Sequence, residues 1–255
     1  MGMRVGFSKY SGAGNDFIIV DDRSLGFCGD IARLCHRQWG VGADGLILLQ
    51  PSSLADYKMR IFNADGKEAS MCGNGLRCLT RFISSLEGNK LYHIETLAHI
   101  YPAEVRSEGV WIEFPKPQIL EHNVPIAIDE TSKPIYFADS GVPHAVIFVS
   151  DIEKIDVQTL GLKVRNHPFF GPSGANVNFV EGTKLRTFER GIEGETLACG
   201  TGAAAVATIL SEIFSLQNPL HIKVRSSDIL TFHVHPNKLE MLGSATLVFE
   251  GSIHI

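Results

Sequence analysis

The strongest constraint on this chain is that it resembles itself. From Arg60 to Gly75 it reads RIFNADGKEASMCGNG, and from Arg186 to Gly202 it reads RTFERGIEGETLACGTG. Both stretches open with R-x-F, pass through an acidic or amide turn, and end in C-G-x-G at the start of a helical pattern; the second is one residue longer. Upstream, SGAGNDF at 11–17 and SGANVNF at 173–179 suggest a further match. Each half then reads as glycine loop, strand, strand, turn, cysteine, helix. A unit that recurs in the same order points to two like domains.

The 255 residues suit two modest domains. Pro115, Pro117, Pro125 and Pro134 cluster between the halves, as in a connector between domains. The expected division is 1–115 and 116–244, with a C-terminal strand at about 245–255 completing the first domain. The first half reads as strands at Met3–Lys9, Asp16–Asp21, Leu46–Gln50, Tyr57–Asn63, Leu91–Thr96, Ile100–Arg106 and Val110–Phe114. Helices are expected at Asp30–Trp39 and from about Gly75 to Leu86. The second half reads as strands at Ile135–Ala138, Ala145–Val149, Asn176–Val180, Lys184–Glu189, Ile222–Arg225, Leu230–Val234, Leu239–Leu242 and Thr246–Phe249. Its one expected helix, Gly202–Phe214, is apolar nearly all round, so it needs other structure around it, and strands are the available wrapping.

Composition removes several function classes. The formal charge is -5, with 23 basic and 28 acidic residues, which does not suit a nucleic-acid binder. The first ten residues carry charge and lack the apolar core of a signal peptide. Gly2 is followed by Gly at position 6 rather than the Ser or Thr of a myristoylation signal. The apolar run 202–210 is too short to span a bilayer. A cytoplasmic location is the expectation. The five cysteines, Cys28, Cys35, Cys72, Cys78 and Cys199, are odd in number and form no C-x-x-C pair, which argues against a disulfide framework or a zinc knuckle.

Cys72 and Cys199 each stand just before a helix start, where unpaired backbone amides and the helix field favour negative charge. A cysteine there ionises more readily. Gly73, Gly75, Gly200 and Gly202 allow close backbone approach to a ligand, and the same helix ends could hold a substrate carboxylate. Inverting a stereocentre needs a proton removed from one face and another delivered to the opposite face, which a thiolate and a thiol can do as a pair. Covalent thiol catalysis with His144 as base is an alternative, but it leaves the second C-G-x-G without a role. Cys35 and Cys78 read as core residues, and Asp44 and Asp65 as turn caps. His233 and His235 share a sheet face without a functional argument.

These stretches resemble the diaminopimelate epimerase family. The resemblance rests on GAGNDFIIVD (12–21), GVGADGL (40–46), RIFNADG (60–66), MCGNGLRC (71–78), NVNFV (176–180) and RTFERGIEGETLACGTGA (186–203), and runs from about Phe7 to the C-terminus. It implies an α/β fold of two similar domains related by internal pseudo-two-fold symmetry, each a barrel-like, mostly antiparallel sheet wrapped around a central helix. It implies interconversion of L,L- and meso-diaminopimelate without pyridoxal phosphate, metal or other cofactor. By resemblance, Cys72 and Cys199 are the acid/base pair. Gly73, Asn74, Gly200 and Thr201 hold the carboxylate at the reacting centre. Asn15, Asn63, Asn176, Glu189 and Arg190 line the cleft and read the distal amino-acid group. The expected partner is a small amino-acid substrate, with a homodimer as the candidate assembly and neither nucleic acid nor membrane. The chain departs from the family where GNPH is usual, since it has Gly141-Val142-Pro143-His144. Loss of that amide suggests looser substrate selection. Other readings are a related two-cysteine racemase acting on proline, hydroxyproline or glutamate, and a non-catalytic binding protein on the same fold.

Overall fold

The computed structural model describes residues 4–124, 126 and 134–255. Met3, the expected start of the first strand, and Pro125 of the expected connector lie outside them. The chain forms two compact units, one from Met1–Glu113 with Leu242–Ile255, the other from Phe114–Met241. In chain order the elements are β1 (Arg4–Gly12), β2 (Asn15–Asp21), α1 (Ile31–Cys35), β3 (Gly45–Gln50), β4 (Tyr57–Asn63), β5 (Glu68–Ala69), α2 (Gly73–Glu87), β6 (Tyr92–Glu95), β7 (Ile100–Arg106) and β8 (Gly109–Pro115). They continue with β9 (Gln118–Val124), β10 (Ile135–Asp139), β11 (Pro143–Phe148), α3 (Val157–Arg165), β12 (Asn176–Glu181), β13 (Lys184–Glu189), β14 (Gly194–Thr196), α4 (Gly200–Glu212), β15 (Leu220–Lys223), β16 (Ile229–Val234), β17 (Lys238–Gly243) and β18 (Thr246–His254). Among the described residues no helix is long and apolar enough to cross a membrane.

The two units share an order of pairing. In the first, β18–β1 and β1–β2 are antiparallel, β2–β3 parallel, β3–β4 and β4–β5 antiparallel, β4–β6 parallel and β6–β7 antiparallel. In the second, β9–β10 and β10–β11 are antiparallel, β11–β12 parallel, β12–β13 and β13–β14 antiparallel, β13–β15 parallel and β15–β16 antiparallel. The helices α2 and α4 each follow the short strand of their unit, β5 and β14. This corrects one sequence expectation. SGAGNDF forms the hairpin of β1 and β2, whereas SGANVNF leads into β12, the counterpart of β3 rather than of β2. Small residues recur at both places because both need tight backbone, not because the places are equivalent.

Strands buried on both faces explain how short apolar runs build these units. All six residues of β3 are buried. Ile18, Val20, Leu46 and Leu48 face Leu34 and Cys35 of α1, while the alternate face puts Ile47 and Ile61 beside the start of α2. In the second unit Val177, Phe179 and Phe188 pack against Val157 and Val164 of α3. Asn178, on the alternate face, reaches Gly202 of α4. The expectation for the apolar helix holds: residues 202–210 are all buried. Its one polar group there, Thr208, donates to the Ala204 carbonyl at 3.0 Å, so no orphaned hydroxyl is buried.

Three local expectations change. α1 ends at Cys35 rather than Trp39, because the chain doubles back over the helix end. Val41 N–H donates to Leu34 O at 2.9 Å, and a Cβ on Gly40 would stand 2.1 Å from Arg33 O. The helix α3 is not legible in the sequence, since Gly161 interrupts its pattern. Glycine is required there: a Cβ would meet Phe188 at 2.5 Å. Within the proline-bearing stretch, Gln118–Val124 forms strand β9, paired to β10.

Candidate active site

Both repeated cysteines are helix N-caps, in extended backbone conformation, with φ -147° and ψ 117° at Cys72 and φ -116° and ψ 107° at Cys199. The helices begin two residues earlier than the periodicity suggests, at Gly73 and Gly200, because the glycines carry no side chain to register in an apolar pattern. At Cys72 the Gly75 N–H donates to Sγ at 3.5 Å, a sulfur version of the usual oxygen cap. A Cβ on Gly75 would lie 2.7 Å from Ile61 Cδ1 and 3.1 Å from Ile47 Cδ1. This glycine lets α2 sit down on the sheet.

In the first unit the Cys72 thiol donates to Asn15 Oδ1 at 3.8 Å. Asn15 heads β2, and its amide Nδ2 donates to Asp44 Oδ2 at 2.8 Å. Buried Asn74 donates from Nδ2 to the same Asn15 oxygen at 3.5 Å and accepts from Arg77 at 2.9 Å. The hairpin that carries Asn15 turns at Ala13 (φ 56°) and Gly14 (φ 87°). Asn63 stands exposed at the end of β4, where its backbone closes the turn to Lys67 and Gly66. Asp65 caps that turn, accepting from Lys67 N–H at 3.0 Å. Asp44 does more than cap: it also accepts from Asp16 N–H at 3.2 Å and from Arg37 at 2.7 Å.

In the second unit the buried Cys199 Sγ lies 3.5 Å from Thr201 Oγ1. Its thiol also hydrogen-bonds to Glu189 at the end of β13. Glu189 accepts a short hydrogen bond from the Thr196 hydroxyl. Glu189 as a residue keeps some exposed surface, but its carboxyl is enclosed. Burial raises its pKa, against the opposing hydrogen bonds from Thr196 and Cys199. Asn176 is buried, and its Oδ1 accepts from Arg190 N–H at 3.0 Å, while the Arg190 guanidinium donates to Gly174 O at 3.5 Å. Asn15, Asn74 and Cys72 therefore meet in one unit; in the other, Glu189 and Thr201 stand about Cys199, and Asn176 holds the backbone of the adjacent Arg190.

Asn178 joins this unit's polar network without a signal of its own in the sequence. Asn178 accepts from Thr187 at 3.0 Å and donates to Ala145 O at 3.1 Å, and its Nδ2 lies 3.1 Å from His144 Nδ1. Gly202 exists for this network, since a Cβ there would stand 2.3 Å from Asn178 Oδ1. His144 is fully buried, its Nε2 meets no partner among the described residues, and burial with the Arg190 charge pushes its pKa down to about 3. The imidazole is neutral. Cys78 and Cys35 are buried core thiols, as the sequence suggests, and burial pushes their pKa values up to about 12 and about 11.

The pairing order also locates the counterpart of Asn15. β11 stands where β2 stands, so the turn Ser140–Gly141–Val142 matches Ala13–Gly14–Asn15, with Gly141 at φ 90°. The departure from the family's GNPH thus falls where the other half has its thiol-facing amide.

Its relatives place this α/β chain of two units, each with a cysteine as a helix N-cap, in the epimerase class of isomerases. A family model described as diaminopimelate epimerase matches residues 7–117 and 136–248. The diaminopimelate epimerase of Archaeoglobus fulgidus is 37% identical, over 99% of this chain and 98% of its own. That of Aquifex aeolicus is 40% identical over 97% of each chain. Among solved structures, a phenazine biosynthesis protein of the PhzF family from Bacillus anthracis shares the fold, with a TM-score of 0.76 at 18% identity, over 99% of this chain and 100% of that one. The chain belongs to the diaminopimelate epimerase family.

Proposed function

We propose that this enzyme interconverts L,L- and meso-diaminopimelate without a cofactor, through Cys72 and Cys199 acting on one α-carbon. The observation that supports this most directly is the recurrence of a cysteine N-cap at the equivalent helix of each unit, within the same order of strands. In this reading the two units are halves of a pseudo-two-fold arrangement, 1–115 with 245–255 and 116–244, each a barrel-like sheet around its helix. One sulfur, as thiolate, takes the α-proton, and the C–H electron pair moves into the carboxylate as an enediolate. The other sulfur, as thiol, delivers its proton to the opposite face, and the sulfurs end with exchanged protonation. The amides of Gly73 and Asn74 and of Gly200 and Thr201 take the developing charge on the carboxylate oxygens. Asn15, Asn63, Asn176, Glu189 and Arg190 orient the distal end: Arg190 suits its carboxylate and Glu189 with the amides suits its ammonium. The product would serve lysine and peptidoglycan synthesis, in the cytoplasm.

The test is incubation with L,L-diaminopimelate in D₂O. Wild type should interconvert the isomers and place deuterium at the α-carbon, and Cys72→Ala and Cys199→Ala should each lose interconversion. Full interconversion by either variant overturns the two-sulfur reading. A second reading, a looser substrate range, is favoured by Val142, which offers no amide where the family usually has one.

A further inference from the structure

Asparagine amides can face either way, and what fixes them is the chemistry at their edges. In the first unit a continuous polar chain runs from Arg77 through Asn74 and Asn15 to Asp44. Arg77 is fully buried, with one guanidinium nitrogen donating to Asn74 Oδ1 at 2.9 Å and Nε donating to Ser244 O at 3.0 Å. A guanidinium can only donate, so it holds the Asn74 oxygen toward itself and turns Asn74 Nδ2 outward, onto Asn15 Oδ1. At the other end Asp44 can only accept while ionised, so it holds Asn15 Nδ2 at 2.8 Å and turns Asn15 Oδ1 toward Asn74 and the Cys72 thiol. Both ends agree on one polarity. Asp44 is itself fixed. Its Oδ1 accepts from Arg37 at 2.7 Å and its Oδ2 from the Asp16 N–H at 3.2 Å, while Arg37 also grips Asp16, which pairs with buried Lys9.

We propose that Asp44 and Arg77 are positioning residues for the thiol. Acceptor-only and donor-only ends of one relay lock the Asn15 carbonyl oxygen onto Cys72 Sγ, so that this sulfur is held as a proton donor. No such relay can form at the matching turn of the other unit, where Val142 has no amide. This deepens the role given above to Cys72 and rests on that reading for its catalytic meaning. The ionisable groups tied to this relay are Asp44 and Arg37 of the loop before β3, Asp16 of β2, Lys9 of β1 and Arg77 of α2, while Cys78 of α2 interacts electrostatically with the Cys72 thiol.

The test is Asp44→Asn. Arg37 would draw the new amide's oxygen, so its nitrogen would face the Asp16 N–H and Asn15 Nδ2, two donors, and Asn15 would lose the acceptor that holds its carbonyl oxygen on sulfur. Release of an acceptor that bonds the neutral thiol favours the thiolate. The rate of iodoacetamide alkylation at Cys72 against pH, followed by peptide mass spectrometry, should therefore shift to an apparent pKa lower by about 1 unit. A merely structural role would lower the melting temperature and open Cys35 and Cys78 to alkylation without moving the Cys72 profile, and an unmoved profile overturns the proposal. If Asp44→Asn does not fold, Asn15→Ala is read in the same way: it removes the acceptor, and an unmoved profile again overturns the proposal. Alkylation uses no substrate. A shifted profile in the variant, with a wild type that fails to interconvert diaminopimelate, would overturn the function and leave the relay standing.

Discussion

Glu189, at the end of β13, shares its carboxyl between the Thr196 hydroxyl and the Cys199 thiol. Enclosure of that carboxyl outweighs both hydrogen bonds, so its pKa stands above that of an ordinary glutamate. The sign for stability follows. A carboxyl whose pKa is raised by folding costs nothing below the unfolded value of about 4.3, and costs progressively more as pH climbs past it toward the folded value. Glu189→Gln never carries the charge. Its melting temperature relative to wild type should rise between pH 4 and pH 8, measured by calorimetry. An offset that stays constant across this range would refute the burial argument. Activity should fall, because an amide cannot supply the charge that the proposed reaction asks Glu189 to offer the distal ammonium.

His144 gives the opposite slope. Folding holds its pKa down at about 3, against an unfolded value of about 6.5. Its neutral form is what the fold accommodates, so the associated stability is present above the unfolded value and is lost as pH falls from there toward the folded one. Over that window one proton is taken up on unfolding, about 1.4 kcal/mol per pH unit. Urea unfolding of His144→Gln should be flatter than wild type by roughly that slope between pH 6 and pH 4. An equal slope in both proteins would show that His144 is not the group involved.

How much of this was legible in the sequence depends on what kind of signal each part leaves. The cysteine-bearing repeat announced itself because C-G-x-G is a local string, and α4 did so because residues 202–210 are apolar without interruption. The glycine-loop match misled, since SGAGNDF and SGANVNF serve different strands and only pairing order separates them. Helix α3 stayed hidden behind Gly161, whose reason is the Phe188 ring, distant in sequence. Asp44 read as a turn cap because its amide partner, Asn15, lies on another strand. Residues that act by bridging remote segments leave no periodicity to read.

The two N-caps also differ in a measurable way. Cys72 Sγ accepts from Gly75 N–H, whereas Cys199 makes no side-chain cap bond. Serine caps helices better than alanine by about 1 kcal/mol. In denaturant titrations Cys72→Ser should therefore be more stable than Cys72→Ala by roughly that amount. The same pair at Cys199 should differ by clearly less. Neither serine variant should retain substantial epimerisation, because an alcohol is a far weaker acid than a thiol. A serine variant with near wild-type turnover would remove the sulfur from the chemistry.

Val142 offers the sharpest separation of fold from specificity. It follows Gly141 in the turn before β11, with its carbonyl accepting from Ser140 N–H at 3.1 Å. The turn is held by backbone, so the side chain can change without rebuilding it. An amide at this position would add one polar contact, worth about 1–3 kcal/mol where it is buried and satisfied. Val142→Asn should then raise the ratio of kcat/KM for diaminopimelate over glutamate by roughly 10-fold or more. The gain should fall mainly on the diaminopimelate value, since glutamate has no distal amino group for the amide to meet. A wild-type ratio already equal to that of an Asn-bearing relative, and unchanged by the substitution, would mean that Val142 does not loosen selection and that other residues choose the substrate.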